Sequence, residues 1–182
     1  MAVRYSLNKT KFLLPPELDH LKLVLAKFRE QDPRNCHIIE LALRTGGRAT
    51  ELLNLQLVDI NGFDRSVLIR GIKGSNDREI PLEANYFLSL QTFASGMPAQ
   101  KASTRLFDIS YQRLTQVWDV YRPCPKKFHA LRHTFAIELY RRTRDLRLVQ
   151  VALGHRNIMN TMIYADYVYS KEELRKLIIE RS

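Results

Sequence analysis

Apolar positions recur at helical spacing in the first third of the chain, alternate in the middle, and return to helical spacing afterwards. Pro15-Pro16-Glu17 reads as a helix start, with Leu18, Leu21, Leu25 and Phe28 following on one face. Asp32-Pro33 ends that helix. A second covers roughly 34–44 and buries Ile38, Leu41 and Ala42. Gly46-Gly47 breaks it, and Ala49–Leu55 resumes with Leu52, Leu53 and Leu55 inward. Val67-Leu68-Ile69 and Glu79-Ile80-Pro81-Leu82 read as paired strands, and the Gly71–Asp77 stretch between them has hairpin composition. Helical spacing then covers about 83–94, 109–121, 129–143, 145–153 and 157–163. Residues 1–14 read as an N-terminal arm, 15–170 as one domain, and 171–182 as a helical tail with Leu174, Leu177 and Ile178 on one face. The predicted class is α+β and mostly helical: a single domain with one small antiparallel sheet packed on a helical bundle.

Composition narrows the picture. A 182-residue chain that is 45% hydrophobic can bury roughly 70% of its unfolded surface as one domain, without disulfides or a structural metal. No apolar run approaches the roughly 18 residues of a membrane span. The first fifteen residues carry Arg4, Lys9 and Lys11 without a continuous apolar core, unlike a secretory signal. Cys36 and Cys124 share no metal-ligand spacing and read as reduced thiols of a cytoplasmic protein. Lys and Arg number 29 against 19 Asp and Glu, a net charge of +10, with a pI near 9.8. That balance suits a polyanionic partner, nucleic acid ahead of a membrane surface, although a basic but otherwise ordinary surface also accounts for it.

Four separated segments carry candidate chemistry. In Thr45-Gly46-Gly47-Arg48-Ala49-Thr50-Glu51 an arginine follows a glycine turn at a helix start, with a carboxylate three residues on. Helix N-termini and guanidinium forks both suit phosphate, and Glu51 can orient Arg48. Lys73 sits in the hairpin connection, where it can reach a DNA backbone and donate a proton. His129-Ala130-Leu131-Arg132-His133 places His129 and Arg132 three apart, on one helix face. It lacks the further ligands of a metal site. In Leu153-Gly154-His155-Arg156-Asn157, Gly154 reads as a helix C-terminal glycine and Asn157 as the next N-cap, with Tyr164 nine residues after His155. Taken singly, these are a solvated Arg–Glu pair, a solvated lysine, a common His-x-x-Arg and a half-buried tyrosine.

Jointly, the order Arg, Lys, His-x-x-Arg, His, Tyr is far more specific. TGGRATELLNL, GIKGSNDREIPL, HALRHTF and LGHRNIMNTMIYADY together resemble the tyrosine recombinase (phage integrase) family. The resemblance runs from about Leu13 onward and corresponds to that family's catalytic domain. The chain leaves no room for the usual separate N-terminal core-binding domain. Its length is similar to that of the compact Fim-type DNA invertases, and equally to a catalytic domain taken from a longer integrase.

The resemblance implies a role for each residue. Arg48 and Arg132 clamp the non-bridging oxygens of the scissile phosphate, and Glu51 supports Arg48. Lys73 protonates the leaving 5′ oxygen, His129 takes or manages the tyrosine proton, and His155 hydrogen-bonds the phosphate. Tyr164 is the nucleophile that forms a 3′-phosphotyrosyl bond, with Tyr167 and Tyr169 as competitors. Two guanidiniums and a histidine can neutralise a phosphodiester transition state as a metal would, so no metal and no cofactor is expected. Gly47 and Phe128 depart from the family pattern, in which an apolar residue precedes the first arginine and Pro often precedes the histidine.

The resemblance further implies a site-specific DNA recombinase acting on double-stranded DNA as a tetramer, through a Holliday junction, with accessory DNA-bending proteins and a nucleoid location. It also implies a C-terminal tail that docks on a neighbouring protomer, where packing on its own core is the alternative. A type IB topoisomerase-like nicking–closing enzyme and a non-catalytic DNA-binding regulator are the other readings. Lys101, Arg105, Arg113, Lys126 and Lys127 are candidate DNA-backbone contacts.

Overall fold

The computed structural model describes residues 7–72, 74–97 and 101–165, together with Arg175, Ile178 and Ile179. Among the described residues eight α-helices are named beside one small sheet: α1 Pro15–Phe28, α2 Pro33–Thr45, α3 Ala49–Leu53, α4 Ala84–Ser95, α5 Tyr111–Tyr121, α6 Ala130–Thr143, α7 Leu146–Leu153 and α8 Met159–Met162. The sheet is antiparallel, in the order β1 (Ile60–Asn61), β2 (Ser66–Ile69), β3 (Arg78–Pro81). Val67 faces Ile80 and Leu68 faces Glu79 across β2 and β3. The class and the main strand pair are those the sequence predicts.

Two features were not foreseen. Strand β1 joins β2 through the Asn61–Arg65 turn, which contains an Asn-Gly pair of the kind that favours hairpins. Leu57–Asp59 forms a short 3-10 turn, and residues 101–107 run beside it, with Leu57 N–H donating to Thr104 O at 3.0 Å and Leu106 N–H to Leu55 O at 2.8 Å.

Helix α2 is the central element. Cys36, Ile38, Ile39, Leu41 and Ala42 have no exposed surface, because α2 is covered by α1, α4, α5 and α6 rather than by one neighbour. Its end is set by Gly46, whose φ of +62° closes the helix with an N–H to Ala42 O. A Cβ at Gly46 would lie 2.5 Å from Phe135 Cδ1 and 2.9 Å from Leu153 Cδ2, so glycine is required both for backbone and for space. Helix α7 ends in the same way at Gly154, φ +69°.

The stretch read as an arm is packed from Leu7 onward. Leu7, Phe12 and Leu13 are buried, and Leu13 N–H donates to the Thr134 hydroxyl on α6 at 2.8 Å. Of the tail, Arg175, Ile178 and Ile179 are helical and exposed, while Leu174 and Leu177 lie outside the described residues. No helix among the described residues is long and apolar enough to cross a membrane.

Candidate active site

Five of the six expected catalytic residues converge where α2–α3, α6 and the α7–α8 turn meet. Arg48 is the N-cap residue of α3, and the Glu51 carboxylate, three residues on, accepts its N–H at 2.8 Å and its Nη1 at 2.9 Å. One carboxylate therefore caps the helix and orients the guanidinium. Arg48 Nη1 also donates to Ser75 Oγ at 2.9 Å, tying α3 to the β2–β3 connection. Leu52 fills the place where a Gly47 side chain would sit, since a Cβ there would meet Leu52 Cδ2 at 2.7 Å. The missing apolar side chain before Arg48 is thus replaced from within α3.

Arg132 is 2% exposed. Its Nη1 donates to Gly46 O at 2.6 Å, and its Nη2 to Leu153 O at 2.8 Å and to His155 Nε2 at 3.0 Å. The two left-handed glycine turns thus aim carbonyls at, or next to, one guanidinium. An arginine only donates, so His155 Nε2 must accept, and the imidazole proton sits on Nδ1 and is given to Thr161 Oγ1 at 2.9 Å. Desolvation, then the charges of Arg132 and Arg48, push the His155 pKa down to about 4, which agrees with a neutral ring. Desolvation and the neighbouring Arg48 and Arg78 lower Arg132 to about 9, still a cation at neutral pH.

Tyr164 follows α8 and is 1% exposed. Its hydroxyl lies 3.0 Å from His133 Nδ1. His129, at the N-terminus of α6, meets His133 edge to face, with ring centroids 4.7 Å apart. Desolvation, then Arg132 and Arg48, lower His129 to about 4. His129 also lines an open cleft of ≈ 540 Å³ with Arg48, Arg122, Lys127 and Phe128, between α3, α5 and the segment before α6. Arg48 and His129 face this cleft, and Arg132 and Tyr164 lie buried behind them.

Glu51 has no exposed side-chain surface and sits among three guanidiniums: Arg48 at 2.9 Å, Arg78 at 2.8 Å and Arg132 at 3.9 Å. Burial alone raises its pKa, but the Arg78 hydrogen bond and charge, the Arg48 N–H and the Arg132 charge outweigh that and hold it below the usual carboxylate value. Arg78 was not among the expected residues. Its Nε donates to Ala152 O at 2.8 Å, so it joins β3, α3 and α7. The alternation of β3 carried the signal, because Arg78 shares the inward face with Ile80. His133 and Thr161 were also missed, although His133 is four residues from His129 and so on its helix face.

Lys73, Tyr167 and Tyr169 lie outside the described residues. Among the candidate DNA contacts, Lys127 reaches the cleft, whereas Lys101, Arg105 and Arg113 are exposed outside its lining. Lys126 also lies outside that lining. Its ammonium is held by Glu17 Oε2 at 2.5 Å and Phe12 O at 2.8 Å, and its side chain is 10% exposed, so in this structure it ties the N-terminal stretch to the domain. Asn157, expected as the N-cap, lies one residue before it: Ile158 is the N-cap of α8, and the Asn157 side chain accepts the Met159 N–H at 2.9 Å.

The model of the phage integrase family matches residues 12–171. The chain belongs to the phage integrase family. This integrase-family chain is 30% identical to the tyrosine recombinase XerC of Staphylococcus aureus over 182 residues, which cover 93% of it and 60% of that protein. It is 32% identical to a tyrosine recombinase of Agathobacter rectalis over 161 residues, 77% of it and 50% of that protein. It thus spans about half to three-fifths of the length of these relatives. Its structure is similar to a XerH site-specific recombinase bound to a palindromic difH substrate in a post-cleavage complex, with TM-score 0.72 and 26% identity over 96% of this chain and 54% of that one. The fold also matches the catalytic domain of bacteriophage HP1 integrase, with TM-score 0.65 and 22% identity over 94% of this chain and 96% of that domain.

Proposed function

We propose that this domain cleaves and rejoins double-stranded DNA at specific sites through a 3′-phosphotyrosyl intermediate, as a site-specific recombinase. The observation that carries the reading is the convergence of Arg48 and Arg132 on one buried carboxylate, with His155 on Arg132 and the Tyr164 hydroxyl on His133, the next residue, beside an open basic cleft. Three guanidiniums against one Glu51 leave a local excess of positive charge, which a phosphodiester neutralises. Attack by Tyr164 forms the bond from its oxygen to phosphorus and breaks the bond to the 5′ oxygen. Lys73 supplies a proton to that oxygen, and one of the paired histidines 129 and 133 receives the tyrosine's. The ester keeps the energy of the broken linkage, so a 5′-hydroxyl from another strand can displace the tyrosine without ATP.

In this state Arg132 is bonded to protein carbonyls and Tyr164 is covered. Cleavage therefore requires the segment after α8 to shift so that the hydroxyl meets the phosphate. Coupling that shift to assembly fits a tetramer on two DNA sites. The tail from 171 would seat on a second copy, in the ≈ 570 Å³ groove where Leu18, Leu43 and Phe135 lie beside the charged Glu40, Arg44 and Glu138. Accessory DNA-bending proteins and a nucleoid location in the cytoplasm belong to the same reading.

The test mixes two labelled duplexes carrying a site selected by the protein from random sequence. Joined recombinant strands and a Holliday junction are expected, at a rate that falls steeply with salt as phosphate contacts release counterions. Relaxation of supercoiled DNA with no strand exchange would favour the nicking–closing enzyme, and binding with neither would favour the regulator.

A further inference from the structure

The tyrosine hydroxyl meets a residue outside the six that the family resemblance implies. We propose that His133 is a further catalytic residue, which holds the Tyr164 hydroxyl through Nδ1 and takes its proton as the tyrosine attacks. The proposal rests on the reading of Tyr164 as the nucleophile.

The contact is 3.0 Å long between two buried side chains, 6% and 1% exposed. The rings are tilted by 53° with centroids 5.8 Å apart, so they meet at the polar edge rather than by stacking. His133 lies one turn into α6, one residue after Arg132, whereas His129 is that helix's N-cap residue with its outer side on the cleft. Substrate entering the cleft meets His129 first, and the nucleophile lies behind it on His133.

The surroundings keep the ring unprotonated in the free protein. His133 faces Lys11 from the N-terminal stretch, His129 and Arg132 from its own segment, and His155 from the turn after α7. Desolvation, then these groups, push its pKa down to about 3, so the free protein presents a neutral imidazole. With the proton on Nε2, Nδ1 accepts the tyrosine O–H. A phosphodiester drawn in beside Arg132 offsets part of the positive charge that keeps His133 neutral. Its basicity therefore rises when the substrate is in place, which favours transfer of the tyrosine proton at that stage.

The proton count closes. As the tyrosine oxygen bonds to phosphorus, its proton moves to His133 Nδ1. As the bond to the 5′ oxygen breaks, Lys73 protonates that oxygen. His133 gains one charge and Lys73 loses one. On rejoining, the incoming 5′-hydroxyl returns its proton to Lys73, and His133 returns its proton to the tyrosine oxygen.

The test begins with a pool of nicked duplexes randomised around the nick, from which the wild type selects a substrate that traps the covalent complex. Single-turnover trapping is then compared for wild type, H133A and H133N, with DNA affinity and melting temperature measured in parallel. H133A should trap about 10²-fold or more slowly, within the range for general acid–base residues, at unchanged DNA affinity. Added imidazole, which fits the vacated space, should restore much of the rate. H133N, which can accept the tyrosine hydrogen bond but cannot hold a proton, should be slow as well. A rate within a few-fold of wild type in either variant, or a defect in H133A that imidazole leaves unchanged, overturns the proposal. If H133A does not fold, H133N is read alone: slow trapping at unchanged affinity supports the proposal and a wild-type rate overturns it. A wild type that draws no covalent complex from the pool refutes the reading of Tyr164, and this proposal with it.

Discussion

Glu51 is buried without exposed side-chain surface and holds Arg48 and Arg78 at 2.9 and 2.8 Å. Its worth follows from what its loss leaves behind, namely three guanidiniums facing one another with no counter-charge. Breaking a buried ion pair in this way costs roughly 3–5 kcal/mol. Glu51→Gln is therefore expected to lower the unfolding free energy by about that amount in urea titration, and to abolish cleavage. At Gly46, alanine would place a Cβ 2.5 Å from Phe135 in a backbone with φ +62°. Overpacking together with a left-handed conformation predicts a loss of about 1–3 kcal/mol on thermal unfolding. Because Gly46 O accepts from Arg132, DNA cleavage should fall further than stability alone explains. Thr161→Val removes the acceptor of the His155 Nδ1 proton while keeping the side-chain shape. The buried donor left unpaired should cost about 1–3 kcal/mol, read by urea titration. Nitrogen chemical shifts of His155 should show loss of the single tautomer.

At the scale of elements, the sheet and the two glycine-capped helices position the site. The β2–β3 connection reaches the α7–α8 turn, where Asn76 N–H donates to Gly154 O at 2.9 Å and Ser75 Oγ to the same oxygen at 3.0 Å. The segments carrying Arg48, Arg132 and His155 are thereby locked to the hairpin. Much of this was legible in the sequence, because helix spacing, glycine punctuation and strand alternation are local properties. Gly154 as a helix end and Val67–Ile69 against Glu79–Leu82 follow from such signals. What was not legible depends on residues far apart in the chain. Arg78 gains its meaning from Glu51 and Ala152, His133 from Tyr164, and Lys126 from Glu17. Burial of α2 on nearly every side likewise exceeds what its own periodicity announces, since it reflects how many helices surround it.

Across the whole molecule, buried histidines make stability depend on pH. Desolvation, assisted by nearby cations, lowers His37 to about 4 and His133 to about 3. The unfolded chain takes up protons near the ordinary histidine value of about 6.5 that the folded chain refuses. Stability is therefore full above about pH 6.5 and falls as pH drops towards 4, by on the order of a few kcal/mol. Melting temperature followed across this window should show the fall, and His37→Phe should flatten its slope. In the proposed function the net charge of +10 would serve encounter with DNA, and the buried cluster around Glu51 would serve the chemistry. In the same reading this cluster lets Tyr164 attack a phosphodiester without a metal. The most direct measurement traps the DNA-linked protein in EDTA, digests it and sequences the peptide that retains nucleotide. A single modified residue, Tyr164, is expected, with no adduct from Tyr164→Phe. Nucleotide on Tyr167 or Tyr169, or cleavage that needs a divalent cation, would contradict it.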